Sequence, residues 1–565
     1  MDDLGWDRCD VVLISGDAYV DHPAFGAALI GRFLESLGHR VGVIPQPDWS
    51  DSRAFLALGQ PRLFVGISSG AMDSMVNHYT AMKRLRSNDD YSEGGRPGRR
   101  PDRALLVYAN RVQQAMPGVP VVLGGVEASL RRVTHYDFWS DRLRKSVLLD
   151  AKAAILVYGM GERAVGEIAR RLDAGLGLEG IRGTAVFRDA STFDPAQYAP
   201  AVRLPSHEEI VASGTALLEA TRILEKEANP YNARTLVQGS DRRVVILFPP
   251  AAPLATEEMD ALYALPFARR PHPRYQEEIP AFTMIRHSIT AVRGCAGGCS
   301  FCALSLHQGR AIQSRSQDSI LTEVRTWQAT GFGGIISDVG GPTANLYGLG
   351  CRDAAAQARC RRSSCLHPRI CPSFQTDQGR YVRLLRSLRH LAGVRRVFVS
   401  SGIRFDVALE DPEFLAELVG HHVSGHLKVA PEHFAPDVLR RMRKPPASLY
   451  GRFRALFEAF SRQAGKAQYL VPYLMAGFPG CTEGEMGVVE RELRRHGIRP
   501  QQVQLFLPTP MTLATAMFHA GVDPRTGEEI YVARTPGERR RQLARLLYYR
   551  GAGVRHWRPG RGAPP

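Results

Sequence analysis

In the first third of the chain, short apolar runs alternate with amphipathic stretches, a rhythm that predicts strands separated by helices. The runs at 10–15 (DVVLIS), 40–45 (RVGVIP), 62–67 (RLFVGI), 119–124 (VPVVLG) and 153–159 (AAILVYG) read as strands. Between them, 24–38 and 162–172 place apolar residues at helical spacing, the first ending at Gly38. Continuous apolar strands divided by helices predict a doubly wound α/β domain, with ligands at the carboxyl ends of its parallel strands. Two such ends carry polar loops, 124–129 and 15–26. The second holds Asp17, Asp21 and His22, and reads either as a polar site or as a helix start capped by its own side chains. The polar, glycine- and proline-rich stretch 87–103 reads as a long surface loop.

Residues 201–280 show one helix at 208–227, one strand at 243–248 and then a proline-punctuated run, and read as a connection between domains. Beyond it the alternation resumes, with strands expected at 288–294, 333–340, 395–402, 426–431, 468–477 and 502–508. That series of βα units predicts a barrel of parallel strands, open or closed. The expected organisation is an N-terminal α/β domain (1–200), a connection (201–280), a barrel (281–545) and a basic tail (546–565).

Composition narrows the class. At 565 residues the chain exceeds one core, and 44% hydrophobic with 23% charged residues excludes a disordered or fibrous protein. No apolar run approaches the ~18 residues of a membrane span. The start, MDDLGWDRCD, lacks a basic region followed by an apolar one, so the expectation is a cytoplasmic protein with no membrane partner. A net charge of +17 leaves room for a nucleic-acid partner, although the 73 basic residues, of which seven are lysine, are spread along the whole chain.

Seven of the nine cysteines lie between 295 and 371, with Cys9 and Cys481 apart. In a long cytoplasmic chain such clustering points to metal ligation or catalysis more than to disulfides. Directly after the first expected barrel strand, RGCAGGCSFCALS sets Cys295, Cys299 and Cys302 in a CxxxCxxC spacing. Three thiolates on one loop, relieved by Gly297 and Gly298, can hold three irons of a four-iron, four-sulfur cluster and leave the fourth iron open to chelate a cofactor. A zinc knuckle or ordinary buried thiols are the plain alternatives. A second set, Cys351, Cys360, Cys365 and Cys371 in the insertion 346–374, makes a complete ligand set for zinc or a further iron–sulfur cluster, with His367 as a substitute ligand. Free thiols are the alternative there. Arg352, Arg359, Arg361, Arg362 and Arg369 would offset thiolate charge.

The CxxxCxxC spacing, with Phe301 before its last cysteine, resembles the signature of the radical S-adenosylmethionine (SAM) superfamily. The strings GDAYVDHPAFG, PLATEEMDALYALPFARRPHP, SITAVRGCAGGCSFCALSLHQGR, SDVGGPTANLYG, SSGIRFD, KVAPEH and LMAGFPGCT resemble the YgiQ-like family of that superfamily over about residues 10–545. The resemblance implies a cobalamin-binding-like domain ahead of a (β/α)6 partial TIM barrel. It implies a [4Fe–4S] cluster on three cysteines, SAM on the open iron, an external electron donor such as flavodoxin or ferredoxin, and a deoxyadenosyl radical acting on an unknown substrate. By the same resemblance Gly340, Gly341, Pro342 and Thr343 form the segment that binds the methionine amino group. The DxHxxG motif of histidine-ligated corrinoids is absent, Val20 standing at its aspartate and Gly26 one place late, so cobalamin is not expected. From their places at strand ends, Ser400, Ser401 and Arg404 are expected on ribose and the methionine carboxylate. Lys428 and Glu432 are expected as cofactor contacts or a structural ion pair, Gln504 on adenine or substrate, and His433 as a catalytic or structural histidine. Two competing readings remain: a radical enzyme modifying RNA or a protein side chain, and a non-enzymatic, metal-stapled nucleic-acid-binding protein.

Overall fold

The computed structural model describes residues 1–327 and 331–550. The five predicted N-terminal strands form as Val11–Ser15, Val41–Pro45, Phe64–Ser68, Val121–Gly124 and Ile155–Val157, all parallel to their neighbours in this group. Helix Gly26–Ser36 crosses between the first two as expected, whereas Glu162–Asp173 follows the last of the five and leads to an antiparallel strand. The sheet then continues to nine strands. Thr184–Asp189, Arg243–Leu247 and Thr235–Ser240 add antiparallel in turn, and Ala201–Arg203 closes the edge. Residues 201–280 are therefore not merely a connection, since three of the sheet's strands come from them. TLVQGS at 235–240 alternates half-buried and buried positions, the mark of a strand covered on one face, and such a strand is a weaker sequence signal than a continuous apolar run. The expected helix 208–227 is two helices, His207–Ala212 and Gly214–Lys226, separated by Ser213 in an extended conformation.

Segment 87–103 is not a surface loop throughout. Asp89, Ser92 and Arg100 are buried. Arg100 sits 3.0 Å from both Asp17 and Asp89 and donates to the Ser69 carbonyl at 2.7 Å. Gln46 donates to the Ser92 hydroxyl, and Ala18 N–H to the Tyr91 carbonyl. The segment thus lies over the carboxyl ends of the first strands, and its charged composition, which looks like that of a solvated loop, serves a buried ion network. Loop 15–26 is no helix cap either, because Phe25 holds the N-cap position without a side-chain cap. Asp21 pairs with Arg32 at 2.6 Å and accepts from Ala268 N–H at 2.9 Å. His22 accepts from Ala24 N–H through Nδ1, and its Nε2 lies 3.1 Å from Arg269. The loop straps residues 268–271 to the domain, as the pairing of Val20–Asp21 with Arg270–Pro271 shows.

The barrel strands run in chain order. Ser288–Thr290 pairs with Asp338–Gly340, Ile335–Ile336 with Arg396–Val397, Ile403 bridges to Val429, and His426–Glu432, Tyr469–Ala476 and Val503–Leu505 follow, every pairing parallel. No pairing among the described residues joins Val503–Leu505 to Ser288–Thr290, so the barrel is open there. Several strands are shorter than predicted. The first gives way at Ala291, after which Val292–Arg293 pairs antiparallel with Gln313–Ser314. The second breaks at Ser337, and the third is reduced to Arg396–Val397.

A buried ion pair, Arg293 to Glu162 at 2.7 Å, ties the barrel to the N-terminal domain, and a contact of 2.9 Å between Ser129 and His307 adds to it. The expected tail from 546 begins inside packed structure: Leu546 is buried, and Tyr548 and Tyr549 donate to the carbonyls of Ile498 and Pro500. Residues 551–565 lie outside those described. Among the described residues no helix is long and apolar enough to cross a membrane.

Replacing Arg100 by alanine leaves Asp17 and Asp89 buried without their cation. The expected loss is about 3–5 kcal/mol, read from urea unfolding followed by N-terminal probes. A loss under about 1 kcal/mol, the scale of an exposed pair, would show that Arg100 does not pin the segment.

Candidate metal centre

The loop carrying Cys295, Cys299 and Cys302 is shaped by glycines at two close approaches. Gly294 has φ +78°, and a Cβ there would stand 2.0 Å from the Ala311 carbonyl oxygen. Gly298 has φ +59°, and its Cβ would stand 2.1 Å from the Ser363 carbonyl oxygen. No larger residue permits that path. Cys295 N–H donates to the Gly309 carbonyl at 3.1 Å, Ser300 N–H to the Met442 carbonyl at 3.1 Å, and the Ser300 hydroxyl to the Arg441 carbonyl at 2.7 Å. All three thiols are free and half-buried. Burial, with Cys299 and Cys295 adding to it, pushes the Cys302 thiol up to about 12. Thiolates in such surroundings need nearby positive charge, which iron bound there would supply.

Among the described residues no three or more His, Cys, Asp or Glu side chains converge closely enough to hold a single metal ion. A tetrahedral zinc site would bring its sulfurs to about 3.8 Å of one another. A multi-iron cluster, which spans several metal positions, does not require such a single-ion group.

The structure gives protein partners to several of the residues expected around the cofactor. Arg404 is buried, donates to Asp406 through Nε at 2.8 Å and reaches the Cys299 sulfur through Nη1 at 3.7 Å. Burial opposes its charge, but Asp406 and Cys299 more than offset this and raise its pKa. It is thus held between the Asp406 carboxylate and the Cys299 sulfur. Thr343 likewise stands 3.5 Å from the Cys295 sulfur. Ser400 and Ser401 present their N–H groups to one Asp338 oxygen at 2.8 and 2.9 Å, the Ser401 hydroxyl bonds the other, and the Ser400 hydroxyl donates to the Ser337 carbonyl. Both serine hydroxyls donate within the strand ends, which leaves only their acceptor capacity open.

A Cβ on Gly340 would stand 2.7 Å from the Ser401 hydroxyl, and one on Gly341 2.0 Å from the Val292 carbonyl oxygen, so these glycines permit backbone packing beside the cluster loop. Pro342 is half-buried next to them. Lys428 is exposed, and buried Glu432 instead faces Lys444 at 3.9 Å. His433 accepts from Ala435 N–H and lies 3.4 Å from the Cys481 sulfur, and burial lowers its pKa to about 3. Gln504 is exposed.

Asp338, Asn345 and Asp406 escaped the sequence reading although all three lie in or beside strings already singled out. Asn345 is fully buried; it accepts from Arg404 N–H at 2.8 Å and donates to the Arg404 carbonyl and to Gln378 at 3.0 Å each. Short polar residues inside a glycine-rich string look like turn formers, and their role shows only when Arg404 is brought across from another strand end. A cavity of about 150 Å³ lies between the cluster loop and the carboxyl end of the N-terminal sheet, lined by Cys299, Cys302, His307, Arg310, Tyr158 and Arg132.

Comparison with known proteins agrees with this geometry. The family described as Radical SAM N-terminal matches residues 1–288, Radical SAM superfamily matches 289–491, and a domain of unknown function (DUF3362) matches 501–554. A UPF0313 protein of Rhodopseudomonas palustris is 51% identical over 93% of this chain and 81% of its own. A UPF0313 protein of Geobacter sulfurreducens is 51% identical over 96% of this chain and 90% of its own. The chain belongs to the UPF0313 (YgiQ) family of radical SAM enzymes. Membership implies a [4Fe–4S] cluster and SAM.

By fold, the chain is similar to the radical SAM methyltransferase TsrM of Kitasatospora setae with tryptophan and a SAM analogue bound, at TM-score 0.52 and 14% identity over 95% of this chain and 88% of that one. A second TsrM structure, with cobalamin and a [4Fe–4S] cluster, gives TM-score 0.50 and 16% identity over 95% and 84%. Because that neighbour carries cobalamin, the expectation against cobalamin finds no support in the comparisons. In this chain both ring nitrogens of His22 are engaged and segment 87–103 covers the first strand ends, so a corrinoid would have to bind without His22 as its ligand.

Gly341→Ala should drive the Val292 backbone away and lower reconstituted iron per chain at least twofold. Gly402→Ala is the control, since its Cβ would meet nothing within 4 Å. Equal iron and sulfide in the two variants would show that the close approach at Gly341 does not support the loop.

Proposed function

We propose that the chain cleaves SAM reductively at the Cys295–Cys299–Cys302 loop and turns the resulting radical on a substrate that enters over the open barrel. The carrying observation is the loop itself: three free thiols on a glycine-permitted turn after the first barrel strand, with Arg404 against Cys299 and Thr343 against Cys295. When bound, a cluster on these thiols supplies one electron to the sulfonium of SAM, releasing methionine and a deoxyadenosyl radical that takes a hydrogen atom from substrate. An external one-electron donor of the flavodoxin or ferredoxin class is part of this reading.

The chain's own residues then have defined tasks. Arg404, oriented by Asp406 on its side chain and by Asn345 on its backbone, places a fixed cation beside a thiolate ligand. Such a partner tunes the ligand's electron density and holds its orientation. Glu432 and Lys444, buried together at the end of the fourth barrel strand, present the remaining charged pair on that side, where burial raises the Glu432 pKa. Gly340 and Gly341 let the second strand end lie directly against the cluster loop.

Anaerobic reconstitution with SAM and a reductant should yield deoxyadenosine. The Cys295→Ala/Cys299→Ala/Cys302→Ala variant should yield none, and Asp406→Asn about 10–100-fold less, the usual cost of losing a partner behind a metal ligand. Incubation with deuterated cell extract should place deuterium in deoxyadenosine and so lead to the substrate fraction. Deoxyadenosine formation by the triple variant would overturn the assignment.

A further inference from the structure

Four more thiols are gathered on the far side of the cluster loop, and neither the fold nor the proposed reaction uses them. They belong to the insertion 346–374, which holds one short helix, Ala354–Arg359, and a neck where Arg352 N–H donates to the Ser373 carbonyl and Gln375 N–H to the Gly350 carbonyl. Cys351 sits in that neck, bridged to Phe374, and Cys360 ends the helix. Cys371 N–H donates to the Cys365 carbonyl at 2.8 Å. Cys365 is central: Cys360, Cys371 and Cys351 all lie close enough to act on it electrostatically. All four are free and half-buried. His367, the alternative ligand, instead approaches the backbone of Lys444 and the charge of Arg443.

The insertion is pressed onto the first ligand loop. Cys365 N–H donates to the carbonyl of Ala296, the residue after Cys295, at 3.0 Å, and the Ser364 hydroxyl donates to the Gly297 carbonyl at 2.7 Å. On its other side the Cys360 carbonyl accepts from Asn229 at 2.8 Å, and Arg361 pairs with buried Glu227 at 2.6 Å. So small and irregular a segment, with only a minor apolar cluster of its own around Leu366 and Phe374, needs a staple to keep a fixed shape. Arg310 supplies the matching charge. It is half-buried, its field reaches Cys365 and Cys360, and no carboxylate lies within 4.0 Å of it among the described ion pairs. An iron–sulfur cluster with four thiolate ligands is anionic, and an unspent guanidinium beside it offsets that charge.

We propose that Cys351, Cys360, Cys365 and Cys371 bind a second iron–sulfur cluster, closed by four protein thiolates and seated against the back of the first cluster's loop. Among the described residues these four, like the first set, form no single-ion group, which a zinc site requires and a multi-iron cluster does not; the proposal is therefore a cluster and not zinc. With all ligand positions filled, this cluster has no open iron for SAM. Its role is to hold the insertion, and through Ser364 and Cys365 the carbonyl side of the first loop, in one shape.

Iron and acid-labile sulfide counts on the anaerobically reconstituted full chain test this. Wild type should carry about eight of each, the sum of two [4Fe–4S] units. The variant lacking Cys295, Cys299 and Cys302 should keep about four, with an electron paramagnetic resonance signal unmoved by SAM. Cys360→Ser/Cys365→Ser should also keep about four, but with a signal that SAM does shift, and should become open to protease between about 345 and 375. One zinc and no second cluster in the first variant would overturn the proposal, as would four irons in wild type with these four cysteines freely alkylated in native protein. Should a variant fail to fold, the wild-type count of eight against four still decides. Either negative result leaves the proposed SAM chemistry standing, because that rests on the first set alone.

Discussion

Three thiols on one tight loop repel one another once ionised, and much of the surrounding structure answers that repulsion. The glycines at 294 and 298 let the loop close against the carbonyls of Ala311 and Ser363. That closeness puts Cys302 in surroundings where a free thiolate is strongly disfavoured. Within the protein the compensating charge comes from Arg404, a cation carried in from the third strand end and held there by Asp406 and Asn345, and a bound cluster would add to it. A guanidinium suits this place because it stays charged when buried and its fork leaves one nitrogen for sulfur while two bind carboxylate. The strand ends around the loop form the frame that delivers this cation.

The N-terminal domain contributes to the same frame. Arg293, on the strand that leads into the cluster loop, is paired inside the protein with Glu162 from the N-terminal domain, and His307 from the helix after the loop meets Ser129. Loss of either partner of a buried pair strands a charge, so the two domains are bound to one relative position near the chemistry. The first strand ends of the N-terminal sheet are covered by the chain's own Tyr91 and Arg100 and strapped by Asp21 and His22 to residues 268–271. The cavity nearest the cluster lies instead beyond Tyr158, farther along the same carboxyl edge.

The insertion that carries the second cysteine set joins these parts. It touches the cluster loop through Ser364 and Cys365 and the N-terminal domain through Arg361 and Glu227. A segment bonded to both is well placed to make the order of one depend on the other. That explains why four thiols would be spent on holding a stretch with so little regular structure.

Strong, local signals carried the sequence reading. Five apolar runs announced the parallel half of the first sheet because most of these strands are buried on both faces, and CxxxCxxC pointed to cluster chemistry because its spacing resembles that of the superfamily to which the chain belongs. The family strings carried the superfamily and its cofactors. What the chain alone left open were relations between distant residues. Arg404 reads as a strand-end residue for a cofactor, yet its partners are 105 and 59 positions away at Cys299 and Asn345. Asp89 and Arg100 read as solvent-facing because charge normally is, and only the approach of Asp17 and Ser69 from other loops makes their burial tolerable. Ser400 and Ser401 look available until Asp338 arrives on the neighbouring strand. A residue type states which bonds it can make, whereas the partner that takes them is chosen by packing, and packing is decided by the whole chain at once.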